Sequence, residues 1–231
     1  MTLLAVLSAL SFLALAVLAR AQHIFSLDYT VQALVQGARH PLLESPMRAL
    51  TLLGSGWVLA ALSALGWLGL RRLGHPLLES PMRALTLLGS GWILAALSAL
   101  GWLGLRRLGH PLARFVPATV AGGFLLDVLT KWLVSRPRPR GGDYGFPSGH
   151  ALGAVIFFGA VVYVLWTSDV SRALRWLGTL LACLLVLGVA ASRIYLKVHW
   201  LSDVIGGLVG GVTYLLVVLL LIDRRLRSAK A

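Results

Sequence analysis

Residues 204–222 read VIGGLVGGVTYLLVVLLLI, a stretch of 19 residues without a charged side chain. A helix of about 20 apolar residues is long enough to cross ~30 Å of hydrocarbon. Six other runs of similar length contain few or no charges: residues 1–19, 52–70, 87–105, 115–134, 151–167 and 176–191. The pattern predicts an all-α, polytopic transmembrane helical bundle with six core spans and one duplicated span.

The composition excludes an ordinary water-soluble domain. Hydrophobic residues make up 58% of the chain and charged residues only 13%, with a mean hydropathy of +0.85, whereas soluble domains carry about 25% charged residues. The net charge of +13 alone would allow nucleic-acid binding, but the basic residues lie at the ends of apolar runs and not on one face of a polar domain. We expect the lipid bilayer as a partner and no nucleic acid, and the sequence leaves the oligomeric state open.

The first apolar run has two interpretations. Ala19-Arg20-Ala21 resembles the cleavage site of a signal peptide. However, no Lys or Arg precedes Arg20, whereas signal peptides normally begin with a positively charged segment. A retained first span is therefore favoured. The single cysteine, Cys183, lies inside an apolar run and is interpreted as a packing residue.

A tandem duplication occupies the first half of the chain. Residues 75–109 repeat residues 40–74 with one change, from Val58 to Ile93. Each unit contains one apolar run, so we interpret it as a membrane helix with its lead-in segment. The whole chain, residues 1–231, is then a single integral membrane domain that contains these two units.

The basic residues predict the orientation, because Arg and Lys prefer cytoplasmic loops. Arg172 and Arg175, together with the basic residues after position 222, place their loop and the C-terminus in the cytoplasm. Residues 131–150 and 193–203 then lie on the extracytoplasmic face of a bacterial-type cell membrane. Seven spans would put Arg72 and its neighbours outside, against the rule, so either the N-terminus is outside or one repeat copy does not span.

The two predicted outer loops are rich in ionisable side chains. They read KWLVSRPRPRGGDYGFPSGH over residues 131–150 and SRIYLKVHWLSD over residues 192–203. Ionisable groups at the ends of spans are costly unless they are used or paired. Their excess of guanidinium and ammonium groups predicts an anionic ligand such as a phosphate. The segment 147–150 starts a predicted helix, with Pro147 suited to the first turn, and free N–H groups at a helix start bind anions.

His199 and Asp203 are four residues apart and so share one face of a helix. The carboxylate can accept one ring N–H while the other ring nitrogen attacks phosphorus. His150, in the other loop, can protonate the leaving oxygen. These loops contain no cluster of acidic residues suited to Mg²⁺ or to a pair of metals, so neither a metal nor another cofactor is expected.

These segments resemble the three signature motifs of the type 2 phosphatidic acid phosphatase (lipid phosphate phosphatase) family, in the vanadium haloperoxidase superfamily. Order and spacing agree in all three, which is far more specific than any one motif alone. The matches are Lys131 with six residues before Arg138-Pro139, the tetrapeptide at 147–150, and Ser192-Arg193 with five residues before His199 and three more before Asp203.

The resemblance implies a role for each of these residues. His199 would be the nucleophile, Asp203 its orienting acid and His150 the general acid. The implied activity is metal-independent hydrolysis of a lipid phosphomonoester or diphosphate through a phosphohistidine. Phosphatidic acid, phosphatidylglycerophosphate and undecaprenyl diphosphate all fit the family. The groups implied to bind the phosphate are Lys131, Arg138, Ser148, Gly149 and Arg193.

Two other functions remain as alternatives. A vanadate-dependent haloperoxidase would use the same anion pocket, but those relatives are soluble. A protein that only binds or transports a lipid phosphate would not require His199, Asp203 and His150 together.

The remaining polar and small residues have structural interpretations. Arg136 and Arg140 flank the motif position and are interpreted as contacts to lipid headgroups. Asp127 lies one turn before Lys131 and is expected to form an ion pair with it. Two pairs of glycines four residues apart predict close packing of the last helix; they are Gly206 with Gly210 and Gly207 with Gly211.

Overall fold

The computed structural model describes residues 1–38, 46–47, 91–110 and 112–228, which form helices joined by loops. No strand occurs within these ranges, which confirms the all-α prediction. The seven helices described are α1 (Thr2–Arg20), α2 (Ser26–Gly37), α3 (Gly91–Arg107), α4 (Phe115–Val134), α5 (Gly149–Thr167), α6 (Arg172–Tyr195) and α7 (Leu201–Ser228).

Five of these helices are long and apolar enough to cross a bilayer, namely α1, α4, α5, α6 and the segment Leu201–Arg224 of α7. The predicted membrane bundle is therefore confirmed. Helix α3 has 17 residues and carries most of the apolar run of the second repeat unit. The run of the first unit, residues 52–70, lies outside the described residues.

Helix α5 lies at the centre of the bundle, where it contacts α3, α4, α6 and α7. Leu152 and Ile156 of α5 are fully buried. They belong to one apolar cluster with Phe115 and Val120 of α4. Because lipid tails are as apolar as these side chains, close packing rather than escape from water holds such helices together.

Helix α7 approaches α5 closely through two of its glycines. A Cβ atom on Gly207 would lie 2.6 Å from the Ser148 carbonyl oxygen, and one on Gly211 would lie 2.8 Å from Val155 Cβ. Both distances are too short for a real side chain. The predicted packing role of these small residues is confirmed, and the approach fixes the start of α7 beside the start of α5.

The surface of the bundle is apolar along its length. Leu177, Leu181 and Leu184 of α6 are half-exposed or more, whereas Asp28, Arg136 and other charged side chains are buried. A soluble protein shows the opposite distribution. The exposed leucines therefore form a surface suited to lipid.

The two ends of the bundle differ in what they carry. Met1 and Thr2 at the start of α1 line a cavity together with Asp223 and Arg224 near the end of α7. The opposite end carries the loops 135–148 and 196–200. The start of α1 and the end of α7 thus lie on the same side of the bundle. The sequence left open an N-terminus on the opposite side from the C-terminus. That alternative disagrees with the structure.

Candidate active site

The two motif-bearing loops meet at one end of the bundle. The backbone N–H of Ser148 donates to the carbonyl of Asp203 at 2.9 Å. The indole Nε1 of Trp200 donates to the carbonyl of Pro137 at 3.2 Å. These bonds join the loop 135–148 to the start of α7, so residues far apart in the sequence share one site.

His199 is buried between the loops, and its orientation is set by a backbone group. Its side chain is 3% exposed, and Nδ1 donates to the Gly145 carbonyl oxygen at 2.8 Å. A carbonyl can only accept, so the proton of the neutral ring lies on Nδ1 and the lone pair on Nε2. Nε2 is therefore the nitrogen available to attack an electrophile.

Asp203 lies near the His199 ring but does not accept its Nδ1 proton. Its Oδ2 atom is 3.7 Å from His199 Nδ1, which exceeds a hydrogen-bond distance. The expectation that Asp203 accepts the ring proton directly is thus incorrect in this structure. The carbonyl of Gly145 is the acceptor, and the Asp203 carboxylate acts on the ring through its charge and close approach.

The environment of His199 lowers its pKa below 6.5. Burial is the main cause, because it disfavours the charged imidazolium. Asp203 raises the pKa, and the nearby charges of Arg193 and Arg138 lower it further. The net result is a neutral imidazole near neutral pH, which is the nucleophilic form.

Three buried polar atoms around His199 have no hydrogen-bond partner among the described residues. They are Nε of Arg138, Nε of Arg193 and Oγ of Ser148. Arg193 is 7% exposed and Ser148 is fully buried. Burying such groups without partners is costly, and donors of this kind are satisfied by a bound anion.

Lys131 lies next to the start of α5, within electrostatic range of His150. Its Nζ is 2.6 Å from Asp127 Oδ1 and 2.5 Å from Oδ2, which confirms the predicted ion pair. A Cβ on Gly149 would lie 2.5 Å from Lys131 Nζ. Glycine at this position therefore leaves the space that the ammonium group occupies.

His150 is the second residue of α5 and is half-buried. Its imidazole lies within electrostatic range of four other predicted site residues, Arg193, His199, Lys131 and Arg138. Helix α5 begins at Gly149 with Ser148 as its N-cap and without a side-chain cap, so its first N–H groups face the site. Pro147 precedes the N-cap, and its predicted place in the first turn is wrong by two residues.

The structure places Arg136 differently from the expectation. Its side chain is 1% exposed, its Nη1 donates to Asp203 Oδ1 at 2.6 Å, and its Nη2 donates to the His23 carbonyl at 2.7 Å. The interpretation of Arg136 as a headgroup contact is therefore wrong, whereas Arg140 is exposed. The motif spacing does not show which of these two arginines is buried. No sequence feature indicated that Arg136 pairs with Asp203.

Among the described residues, no group of three or more His, Cys, Asp or Glu side chains is arranged to hold a metal ion. The charged neighbours of His150 and His199 are instead mostly cations, namely Lys131, Arg138 and Arg193. The arrangement can bind a tetrahedral anion beside a neutral imidazole nitrogen, with a second imidazole, that of His150, nearby.

The chain is similar to known proteins in sequence and in fold. The family whose model matches is the PAP2 superfamily, over residues 112–227. The crystal structure of a transmembrane PAP2-type phosphatidylglycerolphosphate phosphatase from Bacillus subtilis has a TM-score of 0.69 at 22% identity, covering 95% of this chain and 96% of that one. This likeness shows that the two proteins share a fold.

Two curated proteins are similar in sequence over shorter segments. Lipid phosphate phosphatase delta of Arabidopsis thaliana is 40% identical over 75 residues, which are 32% of this chain and 18% of that protein. YbjG, a candidate undecaprenyl-diphosphatase of Escherichia coli, is 44% identical over 69 residues, 30% of each protein. The matched segments span less than a third of the length of these relatives.

Proposed function

The chain belongs to the PAP2 superfamily, and we propose that it is an integral membrane phosphatase that hydrolyses a lipid phosphomonoester or diphosphate without a metal. The observation that carries the proposal is the hydrogen bond from His199 Nδ1 to the Gly145 carbonyl at 2.8 Å. It leaves the Nε2 lone pair of a buried, neutral imidazole beside the unpartnered donors of Arg138, Arg193 and Ser148.

In the first step, His199 Nε2 attacks phosphorus and the bond from phosphorus to the leaving oxygen breaks. His150 gives its proton to that oxygen, and the products are a phosphohistidine and the lipid alcohol, or the lipid monophosphate when the substrate is a diphosphate. Lys131, Arg138 and Arg193 neutralise the charge on the equatorial oxygens, which is the main requirement of phosphoryl transfer.

In the second step, water attacks the phosphohistidine. His150 takes a proton from the water, the P–N bond breaks, and inorganic phosphate leaves. The ring of His199 is then free, with its proton still on Nδ1 and held by Gly145. Donation and acceptance by the same His150 follow from microscopic reversibility, as in other two-step hydrolases.

A lipid substrate is favoured by the position of the site. The pocket lies where α4, α5, α6 and α7 reach one end of a bundle with an apolar surface. A phosphate at that level belongs to a molecule whose chains lie in the bilayer. The names of the relatives suggest a phosphatidic acid type of substrate or undecaprenyl diphosphate, and the distribution of arginines favours the extracytoplasmic face.

The decisive experiment measures phosphate release from a panel of lipid phosphates in excess EDTA. Wild-type protein and the control variant His110→Ala are expected to be active, and His199→Ala inactive. His110 is a suitable control because its ring lies at the other end of the bundle, 3.1 Å from Ser168 Oγ. Activity in His199→Ala, or loss of activity on chelation, would refute the mechanism.

The covalent intermediate and the alternatives can be tested with the same preparations. A rapid acid-free quench of turnover with labelled substrate is expected to give an acid-labile phosphoprotein in wild type and none in His199→Ala. Vanadate is expected to inhibit phosphate release. Oxidation of bromide by the vanadate-loaded protein would favour a haloperoxidase, and tight lipid-phosphate binding without turnover would favour a binding protein.

A further inference from the structure

Resting on the phosphatase function above, we propose that Arg136 and Asp28 are positioning residues for the His199–Asp203 pair, and that they fasten α2 over the site. Neither residue is one of the defined positions of the three family motifs. Neither contacts the phosphate pocket directly, so both would act through Asp203.

Arg136 lies between two buried carboxylates. Its Nη1 is 2.6 Å from Asp203 Oδ1 and its Nη2 is 3.4 Å from Asp28 Oδ2, and all three side chains are at most 1% exposed. Charges at such depth are tolerated only when they are paired. Without the guanidinium, the two buried carboxylates would lose the cation that pairs with both of them.

The two aspartates occupy equivalent places in their helices. Asp28 is the third residue of α2, and its Oδ2 accepts from the backbone N–H of Phe25 at 3.1 Å. Asp203 is the third residue of α7, and its Oδ2 accepts from the backbone N–H of Trp200 at 3.0 Å. Each carboxylate therefore caps its own helix, and the two helix starts meet at Arg136.

Asp28 also caps the partner helix. Its Oδ1 accepts from the backbone N–H of Ser202, the second residue of α7, at 2.7 Å, and its Oδ2 accepts from the Ser202 hydroxyl at 2.7 Å. The same hydroxyl oxygen accepts from Arg136 Nη1 at 2.8 Å. Four polar groups thus form one closed network around the start of α7.

Helix α2 is bonded to the end of α6 as well. Gln32 Nε2 donates to the Ile194 carbonyl at 3.3 Å, and Gln36 Nε2 donates to the Tyr195 carbonyl at 3.1 Å. The loop that carries His199 runs from the end of α6 to the start of α7. Helix α2 therefore holds both ends of the segment on which the nucleophile sits.

The network acts on the chemistry through the charge and direction of one carboxylate. Arg136 holds Oδ1 of Asp203, which leaves Oδ2 at 3.7 Å from His199 Nδ1. An ionised carboxylate stabilises the positive charge that develops on an attacking imidazole. A displaced Asp203 carboxylate would lose this effect while the phosphate donors stayed in place.

The test compares Arg136→Gln with the matched control Arg140→Gln, four residues away in the same loop and exposed. In the full-length protein, kcat of Arg136→Gln is expected to fall by on the order of 10- to 100-fold, the range seen for residues that orient a metal-ligating histidine. KM and inhibition by inorganic phosphate are expected to stay close to wild type, because Lys131, Arg138 and Arg193 are untouched. Wild-type kcat in a folded Arg136→Gln would overturn the proposal.

Two milder variants keep the proposal falsifiable if Arg136→Gln does not fold. Ser202→Ala removes one bond to Arg136 and one to Asp28, and Asp28→Asn removes a charge at constant shape. Both are expected to lower kcat without raising KM, and the exposed control Asp169→Asn is expected to have no effect. Wild-type kcat in both folded variants would overturn the proposal.

A measurement without turnover separates this proposal from the proposed function. Modification of His199 by diethyl pyrocarbonate, followed across pH by mass spectrometry, reports the fraction of neutral imidazole. Arg136→Gln is expected to move the midpoint to lower pH, because a displaced Asp203 carboxylate would raise the pKa of His199 less. An unchanged midpoint would overturn the positioning role, whereas absence of wild-type phosphate release would refute the phosphatase function alone.

Discussion

His199 Nδ1 is 2.8 Å from the carbonyl oxygen of Gly145 and 3.7 Å from the nearer carboxylate oxygen of Asp203. The ring is thus held by the backbone of one loop, while the acid four residues later supplies charge at a short distance. The Gly145 carbonyl selects the tautomer of His199, and the Asp203 carboxylate stabilises positive charge on the ring. The two contributions can therefore be measured independently.

Replacement of Asp203 by asparagine is expected to leave measurable activity. In serine proteases, loss of the orienting acid costs about 10⁴-fold because the wrong tautomer forms. Here Gly145 still accepts the Nδ1 proton, so we expect kcat to fall by roughly 10²-fold, with His199→Ala inactive. A loss of about 10⁴-fold or more in Asp203→Asn would show that Asp203, and not Gly145, selects the tautomer.

The pH dependence of kcat/KM follows from the lowered pKa of His199. Only the neutral ring can attack, and burial makes protonation of the folded enzyme harder than that of an exposed histidine. Activity is therefore expected to persist below pH 6.5 and to fall as the pH passes through the lowered pKa. Initial rates across pH 4 to 8, in about half-unit steps, check the position of this acid limb.

The Asp203→Asn variant supplies an internal control for that profile. Asp203 raises the pKa of His199, so its neutralisation is expected to move the acid limb to still lower pH. An acid limb at or above pH 6.5 in wild type, or a shift to higher pH in the variant, would contradict the assignment of the limb to His199.

The sequence predicted the helices well, and it named candidate site residues that the fold brings close together. Charge-free runs located the helices because a span must satisfy its backbone within the segment. Motif spacing singled out Lys131, Arg138, His150 and His199, and the folded chain brings them to one end of the bundle. These features depend on the types of residues and on short distances between them along the chain, and both can be read directly from the sequence.

The sequence did not predict the hydrogen bonds that join residues far apart in the chain. The acceptor for His199 is a backbone carbonyl, at Gly145, which has no residue signature. The partner of Arg136 lies 67 residues away, and Asp28 bonds to Ser202 across 174 residues. Helical periodicity shows which residues share a face of one helix. It does not show which two helix starts will lie next to each other in the fold.

Gly149→Ala tests how closely Lys131 packs at the start of α5. The added methyl would lie 2.5 Å from Lys131 Nζ and 2.7 Å from Asp127 Oδ2, so the ammonium must move. We expect a higher KM and weaker inhibition by inorganic phosphate, with the protein still folded. Gly104→Ala in α3 is the control, because nothing lies within 4 Å of its added methyl; equal kinetics in the two variants would contradict the close contact.

If Lys131 binds the substrate phosphate as proposed, Asp127 competes with that phosphate, because both Asp127 oxygens lie within 2.6 Å of Lys131 Nζ. Asp127→Asn removes the competing charge and keeps the side-chain shape. At a partly exposed ion pair the effect is on the order of 1 kcal/mol, or about 5-fold in affinity. Inhibition by inorganic phosphate is therefore expected to become about 5-fold tighter, and Asp169→Asn to match wild type. Weaker inhibition in Asp127→Asn would show instead that the carboxylate holds Lys131 in its binding position.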